Sequence, residues 1–169
     1  MTHSQIRSLI GAIALGAATT VHAVEVGQPA PAFELPSLAG ESISLEAHAG
    51  KVRLVNFWAS WCEPCRHELP ALDAMRNQYR EQGFEIIGIS VDKEPENAKA
   101  FLDKIPVSYP VVLDNDFQTA KTYDAQAMPM SYILDRDGKV QAVFTGYSKK
   151  KLPAITAAVE ATIENGSTQ

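Results

Sequence analysis

Cys62 and Cys65 are the only cysteines in a chain of 169 residues, and they fall where the apolar pattern changes its period. Upstream, Val52 to Trp58 reads Val-Arg-Leu-Val-Asn-Phe-Trp, a β-branched and aromatic run of the kind that forms a buried strand. Downstream, Leu69, Leu72 and Met75 recur at helical spacing. The pair therefore sits at a strand-to-helix turn. The unpaired N–H groups and dipole of a helix N-terminus favour negative charge, so Cys62 is biased toward thiolate, the nucleophilic form. Glu63 opposes a second negative charge beside it and keeps that bias moderate. Pro64 suits a first helical turn, where its missing N–H leaves no bond unmade.

Three uses compete for such a pair. A stapling disulfide is a weak use, because closing so short a loop contributes about 2 kcal/mol against about 3 for a 15-residue loop. A structural zinc site requires four ligands, and no second cysteine pair exists. Redox chemistry is the use for which a strand-to-helix context is the expected setting.

The run Phe57-Trp58-Ala59-Ser60-Trp61-Cys62-Glu63-Pro64-Cys65 resembles a thioredoxin-fold active site. With Glu68-Leu69-Pro70 following, it is similar to the TlpA/ResA/DsbE group of extracytoplasmic thiol–disulfide oxidoreductases, from about Phe33 to Val159. The resemblance implies an α/β, thioredoxin-like fold: a central mixed β-sheet flanked by helices, with an N-terminal β-hairpin and an inserted βα element. It implies that Cys62 attacks and Cys65 resolves, that the two form a redox-active disulfide, and that protein disulfides are reduced through a Cys62 mixed disulfide. The Glu-Pro pair resembles the reducing members, including those that keep apocytochrome c or copper-site cysteines reduced, with a membrane thiol reductase as electron donor. Neither a cofactor nor a metal is expected.

The resemblance also marks residues outside the cysteine pair. Thioredoxin carries a buried Asp where this chain has Asn56, and an amide cannot take a proton. Glu68 is then the candidate base for Cys65, since residues three apart on a helix are neighbours and the matching glutamate of ResA-like proteins is implicated in proton handling. Met128-Pro129 stands where the fold places a cis-proline beside the disulfide; cis peptides are largely confined to proline, and the backbone of Met128 would pair with substrate. Trp61 is expected beside the disulfide on the docking surface, and Trp58 in the core. Met130-Ser131 departs from the threonine-rich run of many relatives, so substrate preference does not transfer.

Residues 1–23 read as a secretory signal: Arg7 is their only Lys or Arg, Leu9 to Val21 is apolar, and Val21-His22-Ala23 offers small residues for cleavage. The expected location is the periplasm or another extracytoplasmic space, membrane-anchored if the segment is retained. Residues 24–169 are long enough for one thioredoxin-like domain with a sizeable core. The formal charge of −5, or −6 without Arg7, argues against nucleic acid or an anionic membrane as partner. A monomer acting on protein disulfide substrates is expected.

The remaining elements follow from pattern. Phe33-Glu34-Leu35 and Ile43-Ser44-Leu45 flank Ala39-Gly40-Glu41 as a small hairpin. The helix after Cys65 is expected to reach about Gln82, with a kink at Pro70. Phe84 to Val91 reads as a second buried strand and Glu94 to Ile105 as a helix. Val111 to Leu113 and Gln118 to Tyr123 form the inserted βα element. Ser131 to Leu134 and Val140 to Phe144 form a hairpin around Asp135-Arg136-Asp137-Gly138, and a last helix follows with Pro153 in its first turns. His48 and His67 read as surface residues.

Two other functions remain open. The Pro-x-Phe-x-Leu lead-in and Gly50-Lys51 are shared with peroxiredoxins, but a peroxidatic cysteine is preceded by Thr or Ser at −3 and Pro at −7, where this chain has Ala59 and Val55. A copper-binding chaperone would use Met128 and Met130, although alternating methionines beside a strand more often pack.

Overall fold

The computed structural model describes residues 24–166. Its first element is an antiparallel hairpin of β1 (Glu34–Pro36) and β2 (Ser42–Ser44), with Leu35 opposite Ile43. The targeting segment read from residues 1–23 lies outside the described residues.

The central strand, β3 (Val52–Trp58), is buried at all 7 positions. It pairs in parallel with β4 (Phe84–Ser90), also buried throughout, and antiparallel with β6 (Met130–Leu134). β5 (Val111–Leu113) and β7 (Val140–Thr145) complete a mixed five-stranded sheet of order β5-β4-β3-β6-β7. Strands covered on both faces need no polar alternation, which is why β3 and β4 read as unbroken apolar runs.

Among the described residues, four α-helices flank the sheet: α1 (Glu63–Tyr79), α2 (Pro95–Leu102), α3 (Gln118–Thr122) and α4 (Leu152–Asn165). α1 buries Leu69, Leu72 and Met75. Tyr79 of α1 donates to Glu160 of α4, joining the two helices, and Arg76 pairs with Glu85 of β4 across a largely dry contact. Adjacent residues of β3 point to opposite faces. Trp58 packs on Phe101 of α2, with ring centroids 5.1 Å apart, whereas Phe57 meets Tyr123 and Tyr132 on the other side. β5 and α3 form the inserted βα element.

Proline does not divide the first long helix. α1 runs through Pro70, then tightens to a 3₁₀ turn over Arg80–Gln82 and stops at Gly83, whose φ of 81° is a left-handed conformation that glycine adopts without steric cost. Pro70 lies on the exposed side of α1. Leu69 and Leu72 keep the helix seated on the sheet on either side of it.

Candidate active site

Backbone bonding turns β3 sharply into α1. Cys62 N–H donates to Ala59 O at 3.1 Å, and Cys62 is the N-cap of the helix, its Sγ accepting from Cys65 N–H at 3.2 Å. The two cysteines are joined as a disulfide. Cys65 is completely covered, whereas Cys62 reaches the surface by a narrow edge. Sulfur at the cap of a helix meets N–H dipoles directed at it, so negative charge that develops on Cys62 is stabilised there.

The turn is anchored from β4 by a residue the sequence reading did not single out. Asp92, buried just beyond the strand, accepts from Ser60 N–H at 3.0 Å, from Ser60 Oγ at 2.7 Å and from Ser90 Oγ at 2.9 Å. Asn115 Nδ2 donates to the Asp92 carbonyl at 2.6 Å, tying in the end of β5. An aspartate after a strand carries no distinctive sequence signal, because its partner lies 32 residues away.

Glu63 is exposed, with its carboxylate turned to Arg66 at 3.5 Å and to His67 at 3.8 Å. Its opposition to a Cys62 thiolate is therefore partly offset by a neighbouring cation. Arg66 also lies over the Phe101 ring, 5.0 Å from its centroid. His67 is exposed; His48 is half-buried in the 3₁₀ turn Glu46–His48, away from the cysteines in the chain, and burial holds its pKa below the ordinary histidine value.

Glu68 is almost wholly buried, one helical turn beyond Cys65. Asn56 Nδ2 donates to its Oε2 at 2.9 Å and to Ser131 Oγ at the same distance. Asn56 and Ser131 are register partners on β3 and β6, so the sheet sets this spacing. Burial pushes the Glu68 carboxyl up to about 7; hydrogen bonds from Asn56 and Ser131 and the charge of Lys151 act in the other direction. The carboxyl is thus poised to exchange a proton near neutrality.

The Met128–Pro129 peptide is cis, and Pro129 is buried at the start of β6. Met128 borders a groove of about 610 Å³ that Trp61 and Phe117 also line. Trp61 is 68% exposed and stands on this rim, whereas Trp58 is buried as expected. Phe117, which the sequence reading left unassigned, is exposed with a φ of 61°, a left-handed conformation uncommon for a bulky side chain. Cys62, Cys65 and Glu68 thus share the first turns of α1, while Trp61 and Met128 frame the groove beside them.

A family model described as AhpC/TSA matches residues 26–143. The thiol–disulfide oxidoreductase ResA of Geobacillus thermodenitrificans is 33% identical over 129 residues, covering 76% of this chain and 74% of that protein. The chain is a member of the AhpC/TSA family and, within it, of the ResA/DsbE/TlpA thiol–disulfide oxidoreductases. The thioredoxin-like protein YneN of Bacillus subtilis is 35% identical over 131 residues, 76% of each chain. Among solved structures, a Chlorobium tepidum protein described as a thiol:disulfide interchange protein DsbE superposes with a TM-score of 0.81 at 32% identity, covering 83% of this chain and 99% of that one. This ResA/DsbE-type enzyme carries out thiol–disulfide exchange through its cysteine pair. The AhpC/TSA match spans the hairpin, the Cys-Glu-Pro-Cys turn and most of the sheet.

Proposed function

We propose that the enzyme is a reductant of protein disulfides outside the cytoplasm. The observation that carries this reading is a carboxyl, Glu68, buried one turn from the covered Cys65 with its pKa raised by that burial to about 7, while Cys62 meets the surface. In the reduced enzyme the Cys62 thiolate attacks a substrate disulfide; one S–S bond breaks, a mixed disulfide forms, and the first substrate sulfur leaves as thiolate. Glu68 takes the Cys65 proton. The Cys65 thiolate then attacks Cys62 Sγ, the Cys62–Cys65 bond forms, and the second substrate sulfur leaves. Two electrons pass from the dithiol to the substrate, and the proton held by Glu68 is released to solvent.

The backbone of Met128, before cis-Pro129, pairs with the substrate chain, and Trp61 with the adjoining groove receives the residues flanking its cysteine. Residues 1–23 direct export, cleaved after Ala23 or retained as an anchor. The enzyme works as a monomer, and a membrane thiol reductase returns it to the dithiol form. Apocytochrome c and copper-site cysteines are the candidate substrates.

Trapping tests the assignment. Cys65→Ser, expressed with residues 1–23 intact, should accumulate disulfide-linked partners at Cys62 that disappear on reduction and in the Cys62→Ser, Cys65→Ser double variant. Adducts that form equally well at Cys65 in Cys62→Ser would overturn the order of attack. Peroxide consumption provides the contrast: rapid turnover of hydrogen peroxide with slow reduction of protein disulfides would make the enzyme a peroxidase instead.

A further inference from the structure

Asn56 lies fully buried in the middle of β3, between Glu68 of α1 and Ser131 of β6. Its Nδ2 donates to Glu68 Oε2 and Ser131 Oγ, each at 2.9 Å, one bond for each hydrogen. Its Oδ1 is buried too, and among the described residues it accepts from no donor. A buried amide oxygen left in this way is costly, so any nearby donor that can reach it is favoured. Protonated Glu68 becomes such a donor, and the Ser131 hydroxyl already is one. The oxygen and the NH₂ of a carboxamide are similar in size. Half a turn about the Cβ–Cγ bond therefore exchanges their positions.

We propose that Asn56 is a two-position carboxamide that holds Glu68 in both of its charge states. Toward a carboxylate it presents Nδ2, as in the structure. Toward the protonated acid it presents Oδ1, which accepts from the Glu68 and Ser131 hydroxyls. Asn56 thereby acts as a positioning residue, working through Glu68. The inference rests on the proposed role of Glu68 as base for Cys65. When Cys65 gives up its proton, the thiolate attacks Cys62 Sγ, the substrate sulfur leaves as thiolate, and the proton rests on Glu68; the amide turns to receive it.

The other groups around Glu68 keep their charge while it titrates. Lys151, before α4, is a cation whose Nζ donates to the Thr145 and Gly146 carbonyls. Tyr109 and Tyr147 are held protonated, chiefly by burial and secondarily by the charge of Glu68. Cys65 titrates only when reduced. In the oxidised protein, Glu68 is accordingly the group in this cluster that changes charge near pH 7.

The test follows the Asn56 side-chain NH₂ resonances, assigned through their contacts to Ser131, in the oxidised protein over roughly pH 5–9. They should move with a single midpoint near 7 and stay flat in Glu68→Gln. In the reduced enzyme, Asn56→Leu removes a donor to the carboxylate. The pH midpoint for resolving a mixed disulfide should rise by about one to two pH units, with resolution about tenfold slower at pH 7. Ser131→Ala should shift it in the same direction by less. Resonances that ignore Glu68 ionisation, or a folded Asn56→Leu with an unmoved midpoint, would overturn the proposal. If Asn56→Leu does not fold, the wild-type resonances and Ser131→Ala decide. Failure of the underlying reading looks different: Glu68→Gln would then resolve mixed disulfides as wild type does, whatever the amide resonances show.

Discussion

Asp92 holds Ser60 by both backbone and side chain, with its Oδ2 3.0 Å from the Ser60 nitrogen and its Oδ1 2.7 Å from Ser60 Oγ. The second strand thereby fixes the turn that leads from the first strand to Cys62. Asp92→Ala leaves the Ser60 N–H and the buried Ser90 hydroxyl without their acceptor, and each such loss costs about 1–3 kcal/mol. A destabilisation of about 2–4 kcal/mol in urea unfolding is expected, with slower substrate attack by Cys62. A variant as stable and as active as wild type would show that the tether is dispensable.

Glu68 makes stability depend on pH in a definite direction. Its folded pKa, about 7, lies above the ordinary 4.5, so between these values the native state binds more protons than the unfolded one. Its contribution is greatest below pH 4.5, falls as pH rises and is lost above about 7. Glu68→Gln should therefore gain on wild type by up to about 3 kcal/mol at pH 8 and show little such gain at pH 4. Denaturant curves at the two pH values measure this, and an equal difference at both would contradict the raised pKa.

Trp61, next to Cys62 in the chain, and Phe117 present aromatic surface in one groove that a small substrate does not need. Trp61→Ala and Phe117→Ala should each raise KM for a disulfide-bonded protein by about fivefold or more, the loss typical of an aromatic contact at an interface. Reduction of hydroxyethyl disulfide should change little. An equal loss on both substrates would point to damage at the cysteine turn instead of at the groove.

The couple should be reducing. A strongly oxidising pair such as that of DsbA, at about −120 mV, owes its potential to a stabilised reduced form. Here Glu63 opposes the Cys62 thiolate, although Arg66 at 3.5 Å weakens that opposition. Equilibration with glutathione should place the potential nearer the −270 mV, roughly, of thioredoxin, and a value above about −180 mV would reverse the assigned direction. Because Glu63 is exposed, Glu63→Gln should raise the potential by less than about 20 mV.

Local pattern at Pro70 gives the backbone bond that proline removes, and packing decides that the helix goes on. Pro70 faces solvent, and α1 continues for two further turns to Tyr79. Phe117 illustrates the same limit: it precedes α3 exposed and with a positive φ, and no residue preference near it announces either.

By itself the sequence determined the buried strands, the helix and the cysteine turn between them, because these rest on short-range pattern, and the resemblance they carry implied the fold and the chemistry. The unbroken apolar runs of β3 and β4, the helical spacing after Cys65 and the Cys-Glu-Pro-Cys turn between them are each written within a few residues. Only the tertiary structure decided what surrounds the cysteines. Asn56 reaches Glu68 across 12 residues and Ser131 across 75, and Asp92 reaches Ser60 across 32. Such partners are chosen by sheet register and helix packing, which bring distant polar groups into one dry interior; there a carboxyl's pKa is set by burial and by donors that its own stretch of sequence does not contain.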